Sequence, residues 1–250
     1  MNRKERIVVI GDSLPLPRID DDNHVLWDKT WPYLLHNELN KDGNHYEVIN
    51  CSIRSRTIET VTGHDFNEHI LWKKPDIIIL QVGIVDCAPR IFSRKEKLIL
   101  GLSFIPDFIR QKIIKHRSQK RKEILRKNPL GKVYTKPEEY HRYIEDFFVK
   151  IKSLSWEIKI IILPILSNSI LEEKSPGHNH NAQVYNDILK DACIKYHARW
   201  IDPEKFLQAE PYHNLFCADG YHLDKEGNRY TANLVMEALQ QTHQEDFRTH

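Results

Sequence analysis

Five short runs rich in Ile, Val and Leu recur along this chain and restrict its fold more than any other feature. The runs are nearly continuous rather than alternating with polar residues, which is typical of strands buried on both faces of a parallel sheet. Between them, apolar residues recur at helical spacing, as in residues 31–39 and 140–151. Strands that alternate with helices predict a three-layer α/β/α sandwich around a mostly parallel five-stranded sheet. The predicted strands are residues 7–10, 46–49, 77–82, 158–165 and 200–201.

The composition is typical of a folded domain of moderate size. At 250 residues, with 40% hydrophobic residues, the chain is predicted to form one domain over residues 1–250. No apolar run is long enough to span a bilayer, and the first residues lead into a strand without the features of a signal peptide. Four cysteines without C-x-x-C spacing favour reduced thiols, so a cytoplasmic location is expected.

Charge is unevenly distributed along the chain, although the formal net charge is only +2. Residues 94–132 carry 13 Lys/Arg and 3 Asp/Glu residues and interrupt the strand–helix alternation, which predicts a basic helical insertion. Two interpretations stay open: a lid with a solvated polar face, or an amphipathic surface that contacts an anionic membrane. The second would place the protein peripherally at the inner membrane surface. Nucleic-acid binding is disfavoured, because the insertion lacks interleaved aromatic residues and the rest of the chain is acidic.

Two short motifs, far apart in the sequence, contain the parts of a nucleophilic catalytic site. Gly11-Asp12-Ser13 directly follows the first predicted strand, and Asp219-Gly220-Tyr221-His222 precedes a helical pattern. A serine hydroxyl needs a base within hydrogen-bond reach, and the base needs an orienting group. His222 and Asp219 can fill these two roles for Ser13, since residues three apart in a turn are able to contact each other. The backbone N–H of Ser13 is a candidate donor to the oxyanion.

The motifs, their order and their position relative to the strands resemble those of the SGNH, or GDSL-type, hydrolases. That family has G-D-S after the first strand, a glycine after the second, G-x-N-D after the third and D-x-x-H before the last helix. In this sequence Ser55 stands at the glycine position, and Val85 replaces the asparagine in Gly83-Ile84-Val85-Asp86. The resemblance implies a flavodoxin-like sheet and serine ester hydrolysis without a metal or organic cofactor. It also implies an oxyanion hole formed by the backbone N–H groups of Ser13 and Ser55.

The valine at position 85 removes one side-chain donor that the family uses. Loss of one oxyanion donor typically lowers kcat by about 10²–10³, or ~2.7–4 kcal/mol. Arg54, Arg56 and Arg90 lie in the same two strand-end segments. They are candidates to stabilise the oxyanion or to bind an acidic substrate group, because guanidinium forks suit carboxylate and phosphate.

Two carboxylates border these motifs. Asp12 and Asp86 are candidate substrate-binding residues, although the simpler interpretation is that each orders the backbone of its own turn. The His178-Asn179-His180 sequence is not interpreted as a metal site, because no obvious third ligand accompanies it. The site is therefore expected to contain no metal ion.

The leading hypothesis is a serine esterase that cleaves an O-acyl ester, an O-acetyl group on a carbohydrate above all. Its partner would be a small-molecule or carbohydrate ester, and the carbohydrate preference follows from the family resemblance. Two alternatives stay open: a carbohydrate O-acyltransferase of surface-polysaccharide assembly that uses the same triad, and a non-catalytic binding protein with a degraded site. The sequence leaves the oligomeric state open.

Overall fold

A five-stranded sheet forms the centre of the structure, a computed structural model that describes residues 3–19, 24–43, 45–103, 105–128, 132–209 and 211–246, without the side chains of residues 213, 214 and 243–246. The strands are Glu5–Gly11 (β1), Tyr46–Asn50 (β2), Ile77–Gln81 (β3), Lys159–Ile162 (β4) and Arg199–Trp200 (β5). Each strand overlaps one of the five apolar runs, so the predicted α/β sheet is confirmed.

All strand pairs are parallel, and the order across the sheet is β2-β1-β3-β4-β5. This is the flavodoxin-like order, in which a crevice opens outside the carboxyl ends of β1 and β3. Ser13 follows β1 by two residues and therefore lies at this crevice. Strand β4 is shorter than the predicted run 158–165, because Pro164 has no N–H with which to extend the ladder.

Helices cover both faces of the sheet and bury apolar side chains against it. In the helix Pro137–Lys152, for example, the buried side chains include Tyr140, Ile144 and Phe147, which recur every three or four residues. The α-helices of the described residues are Trp31–Leu39 (α1), Ile58–Thr62 (α2), Ile84–Cys87 (α3), Arg94–Leu100 (α4), Asp107–Gln119 (α5), Arg121–Lys127 (α6), Pro137–Lys152 (α7), Ser169–Lys174 (α8), His178–Tyr196 (α9), Pro203–Leu207 (α10) and Lys225–Asp246 (α11).

Two apolar cores lie on opposite sides of the sheet, because successive strand side chains point to opposite faces. In β1, Val8 and Ile10 enter the first core, which contains the apolar faces of α2, α7 and α9. Ile7 and Val9 enter the second core, which contains the apolar faces of α1 and α11. All four side chains are at most 1% exposed, which explains why the run is apolar without alternation.

Helices α4 to α6 lie within residues 94–132, the segment that the sequence predicts to be an insertion and that is called the insertion from here on; its residues 104 and 129–131 lie outside the described part. A capping box starts α4: Ser93 Oγ accepts the Glu96 N–H at 3.2 Å, and Glu96 Oε2 accepts the Ser93 N–H at 2.7 Å. Glu96 Oε1 lies 2.7 Å from Arg117 Nη1, which holds α5 against α4. Among the described residues, no helix is both long and apolar enough to cross a membrane.

Candidate active site

Ser13, His222 and Asp219 meet at the carboxyl end of the sheet. Ser13 Oγ lies 2.9 Å from His222 Nε2, and His222 Nδ1 lies 2.6 Å from Asp219 Oδ2. Both distances are hydrogen bonds, and each ring nitrogen has its own partner, so the imidazole bridges the hydroxyl and the carboxylate. The three side chains are partly buried. The geometry is that of a nucleophile, a base and an orienting group.

The first two residues of the G-D-S motif shape the turn that presents the serine. Gly11 ends β1, and a Cβ atom at this position would lie 2.6 Å from Pro15 Cγ and 2.8 Å from Ser52 Oγ. Only glycine permits this close approach. Asp12 Oδ1 then accepts the Leu14 N–H at 2.9 Å and closes the turn around the serine. The motif therefore orders its own backbone and leaves the serine hydroxyl to face the histidine.

The second motif forms a turn in which one carboxylate orders both the backbone and the ring. Asp219 Oδ1 accepts the N–H groups of Tyr221 at 2.8 Å and His222 at 3.0 Å, which leaves Oδ2 for the imidazole. Gly220 lies between them with φ +76°, in the left-handed region. Partial burial acts to raise the pKa of Asp219, but the hydrogen bonds from His222 and Tyr221 hold it below its usual value. The carboxylate is therefore ionised at neutral pH.

Arg18 is a site residue that the sequence analysis did not identify. Its Nη1 lies 3.0 Å from His222 Nδ1 and 3.3 Å from His222 Nε2, and its Nη2 lies 3.3 Å from Asp219 Oδ2. The in-plane positions of both ring nitrogens are occupied by the serine and the carboxylate, so Nη1 lies over the face of the ring. The only available signal was a single arginine in the proline-containing loop after Ser13.

Asp12 and Asp86 are inaccessible to a substrate, which corrects the prediction that they bind one. Both residues are completely buried. Asp86 accepts hydrogen bonds from Thr135 Oγ1 at 2.5 Å and from the Ile58 N–H at 3.2 Å, and Asp12 accepts one from its own turn. Burial raises the pKa of each carboxyl group to about 7. Each orders nearby backbone, in line with the simpler interpretation of these residues.

The guanidinium of Arg56 is also buried, with only 1% of the side chain exposed, which corrects its assignment to the substrate. Its Nε lies 3.0 Å from Asp65 Oδ2, and its Nη1 donates to Cys51 O at 2.6 Å and to Gly11 O at 3.2 Å. These contacts tie the segment after β2 to the end of β1. Arg56 therefore supports the loop that carries Ser55.

Arg54 and Arg90 stay candidates for contact with a substrate. Arg54 is exposed, and its Nη2 donates to Pro17 O at 3.1 Å, one residue before Arg18. Arg90 Nη2 donates to Val85 O at 3.2 Å, and its guanidinium carbon lies 4.3 Å from the centre of an aromatic ring. In their described contacts neither arginine reaches the triad. The guanidinium at the triad comes from Arg18.

The two positions that depart from the family motifs are Ser55 and Val85. Ser55 has φ +62° in a tight turn that the Arg56 N–H closes on Ile53 O at 3.2 Å. Serine keeps the backbone N–H that glycine would supply, so this amide stays the predicted oxyanion donor. Val85 lies in α3 and packs in the first core, with no polar side-chain atom to donate. The predicted oxyanion hole therefore rests on backbone amides.

Replacement of Ser55 by glycine is expected to stabilise the protein by about 0.5–1 kcal/mol, because a side chain in the left-handed region carries a steric cost. Thermal unfolding should then show a melting temperature higher by about 1–4 °C. Ser153→Gly is the matched control, since Ser153 has φ −79° and should lose stability when it becomes glycine. A Ser55→Gly variant that melts below the wild type would contradict this account.

No described set of three His, Cys, Asp or Glu side chains is placed to hold a metal ion. His178, from the motif considered for metal binding, lies at the start of α9 and is completely buried. Burial lowers its pKa to about 4, so the ring is neutral and its Nε2 contacts Leu166 O at 3.4 Å. His178 is therefore a core histidine.

Comparison with known proteins gives one family and several solved structures. The sequence matches the GDSL-like lipase/acylhydrolase family over residues 9–230, which include both motifs of the site. A search of curated proteins gives no match. The match covers most of the chain and confirms the resemblance found in the motifs.

Solved structures with the same fold share little sequence with this chain. A lipase/acylhydrolase from Enterococcus faecalis superposes with a TM-score of 0.64 at 15% identity and covers 95% of this chain and 96% of its own. The acetyl xylan esterase AlAXEase gives 0.59 at 17% identity, with 93% and 98% covered. The acetylxylan esterase Axe2 from Geobacillus stearothermophilus, solved as a catalytic mutant, gives 0.59 at 16%, with 95% of each chain covered. The chain is thus a member of the GDSL-like lipase/acylhydrolase family and a hydrolase of the SGNH type, as its motifs predicted.

Proposed function

We propose that this protein is a serine esterase in which Ser13 is the nucleophile, His222 the general base and Asp219 the orienting carboxylate. The observation that carries this proposal is the unbroken hydrogen-bond path from Ser13 Oγ through the imidazole to Asp219, with lengths of 2.9 Å and 2.6 Å. Such a path lets the serine proton leave as the oxygen attacks.

The reaction follows from the positions of these groups. Ser13 Oγ attacks the acyl carbonyl while His222 Nε2 takes its proton, and Asp219 stabilises the imidazolium that forms. The negative oxygen of the tetrahedral intermediate accepts hydrogen bonds from the N–H groups of Ser13 and Ser55. His222 returns the proton to the leaving alcohol. Water, activated by the same imidazole, then releases the acyl group and frees the serine.

An O-acetyl group on a carbohydrate is the proposed substrate. Two of the solved structures with this fold are acetyl xylan esterases. Arg18 contacts Asp219, and Arg54 contacts the residue before Arg18; these guanidinium groups are candidates to donate N–H groups to the oxygens of a sugar.

The test combines turnover with covalent labelling. The wild-type protein is expected to release acetate from p-nitrophenyl acetate and from acetylated xylo-oligosaccharides. A fluorophosphonate probe should modify the peptide that contains Ser13, which mass spectrometry can identify. A protein that neither turns over these esters nor takes up the probe would favour the non-catalytic binding alternative.

Acyl transfer to a sugar hydroxyl is a second candidate, favoured by the position of the insertion. Arg121 of α6 donates to Ser175 Oγ, which lies 3.3 Å from the hydroxyl of Tyr221, the neighbour of His222. The insertion therefore borders the catalytic turn, and we infer that it limits the access of water to the site. Incubation of the protein with an acyl donor and free oligosaccharides distinguishes the two reactions: acetylated acceptor in excess over free acetate would assign transfer.

Arg18→Gln is expected to lower kcat/KM for p-nitrophenyl acetate by about tenfold to 150-fold. The reason is that the variant loses a charge-assisted contact with the Asp219–His222 pair, and hydrogen bonds to charged groups contribute about 1.5–3 kcal/mol. Steady-state kinetics with this neutral ester measures the effect. Arg229→Gln is the control, because its exposed side chain pairs with Glu226 on α11. Equal kinetics for both variants would show that the Arg18 contact is incidental.

A further inference from the structure

Exposed apolar side chains are concentrated in the insertion. Of the fifteen large apolar side chains that are exposed among the described residues, seven lie within residues 98–114. Leu98 and Phe108 are each 72% exposed. Single exposed apolar residues are ordinary on a protein surface, but a concentration of them in one segment marks an interaction site.

These side chains belong to one corner of the insertion. Arg110 Nε, in the second turn of α5, donates to Leu100 O at 2.7 Å, and Leu100 ends α4. The contact brings the end of α4 next to the beginning of α5. The exposed side chains of both helices therefore lie at the same corner, and they are Leu98, Ile99, Leu102, Phe108 and Ile109.

Helix α5 contacts the rest of the chain through arginines rather than through an apolar stripe, and none of its residues is buried. Arg117 faces the protein, where its Nη1 lies 2.7 Å from Glu96 Oε1 and its guanidinium carbon lies 4.7 Å from the centre of the Phe92 ring. Phe108 faces outward. A helix that packs on a core buries its apolar stripe and exposes its charges. Packing within the chain therefore does not explain the exposed apolar side chains of α5, which are available to bind a partner.

Cations accompany the apolar side chains on the outer surface. Lys112 and Lys115 follow Phe108 at positions i+4 and i+7, which places the three on one face of α5. Both lysines are exposed, and no described carboxylate lies within ion-pair distance of either. The two lysines are therefore available to bind a partner whose surface is negatively charged and whose interior is apolar.

We propose that this corner docks on the surface of an anionic lipid bilayer. The insertion face, as we define it, consists of Leu98, Ile99, Leu102, Phe108, Lys112 and Lys115. Its apolar side chains enter the boundary between headgroups and acyl chains, while the lysines pair with anionic headgroups. A bilayer fits better than a protein groove, because the face combines apolar side chains with unpaired cations and its helices are short.

The insertion also contacts segments next to the catalytic turn. Helix α6 continues directly from α5, and its Arg121 donates to Lys174 O and to Ser175 Oγ, beside Tyr221. The inference does not rest on the esterase proposal, because lipid binding is measured without turnover.

The test is co-sedimentation of the full chain with vesicles. The wild type is expected to bind vesicles of phosphatidylcholine mixed with phosphatidylglycerol, to bind vesicles of phosphatidylcholine alone weakly, and to dissociate at high salt. Each lysine near an anionic surface raises the partition coefficient by a factor of about five. Lys112→Glu with Lys115→Glu should therefore lower the partition coefficient by more than about tenfold. Leu98→Ser with Phe108→Ser should lower it as well, because apolar insertion is lost.

Matched controls change the same residue types elsewhere on the surface. Lys4→Glu with Lys190→Glu repeats the charge change, and Val149→Ser with Ile194→Ser repeats the loss of exposed apolar side chains. Both controls should bind vesicles as the wild type does. The proposal is overturned if the wild type does not bind anionic vesicles at low salt, or if the controls lose as much binding as the insertion variants. It is equally overturned if the insertion variants only dissociate a dimer, since the face would then bind a second copy of this chain.

Discussion

Replacement of Ser13 by alanine is expected to lower kcat/KM for p-nitrophenyl acetate by at least about a thousandfold, because the variant has no atom that can form the acyl-enzyme. The rate that is left would come from substrate binding and the oxyanion amides alone. The variant should stay folded, because the hydroxyl is partly exposed and its described hydrogen bond is with the His222 side chain. Steady-state kinetics and thermal unfolding of the same preparation measure both expectations.

His222→Ala tests whether the serine and the histidine act as one unit. Groups that take part in the same proton transfer are not additive, so the double variant should be about as slow as either single variant. Ser118→Ala and His180→Ala are the matched controls, since both residues are exposed on helices of the insertion and of α9. Independent, multiplying losses in the double variant would show that the 2.9 Å contact does not carry the proton.

Asp219→Asn is expected to lower kcat by about 10³–10⁴ while it leaves the turn folded. An asparagine oxygen can still accept the N–H groups of Tyr221 and His222. Its NH₂ group, however, would face Nδ1 of the imidazole, whose N–H now donates to the carboxylate over a distance of 2.6 Å. The ring hydrogen would then be on Nε2, which faces the serine. A ring in that tautomer cannot take the serine proton.

The same variant separates a catalytic effect from a structural one. Its melting temperature should stay close to that of the wild type, while kcat falls and labelling of Ser13 by a fluorophosphonate slows. Asp191→Asn, an exposed position on α9, serves as the control for the loss of one charge. A large fall in melting temperature with little change in kcat would identify Asp219 as a structural residue of the turn.

The fold could be predicted to a large extent because its signals are local. All residues of the run 7–10 are apolar, because neighbours such as Ile7 and Val8 face two different cores. This pattern is visible in the sequence itself. Such runs do not show the order of the strands in the sheet. That order was predicted from the resemblance to the family motifs. The end of β4 depended on Pro164, whose missing N–H stops the ladder.

The proximity of Ser13, His222 and Asp219 could be predicted because both motifs are short and order their own turns. The arginines could not be assigned in the same way, because nearness in sequence to a motif does not show where a long side chain points. Arg56 lies beside Ser55 yet turns inward to Asp65. Arg18 contacts His222 and Asp219 from the segment after Ser13, where its backbone pairs with Val25 in an isolated bridge.

The hydrogen bond between Ser13 and His222 joins residues 209 positions apart and bears on how the protein folds. Helix α11, which follows the catalytic turn, packs against α1, where its Asn228 Oδ1 accepts the Trp31 N–H at 2.9 Å. The second core is therefore closed by the segment that also carries the base. Contacts of such long sequence separation are slow to form, since loop-closure entropy must be overcome first. During refolding, catalytic activity would therefore return only when the native topology is complete, and later than the secondary structure.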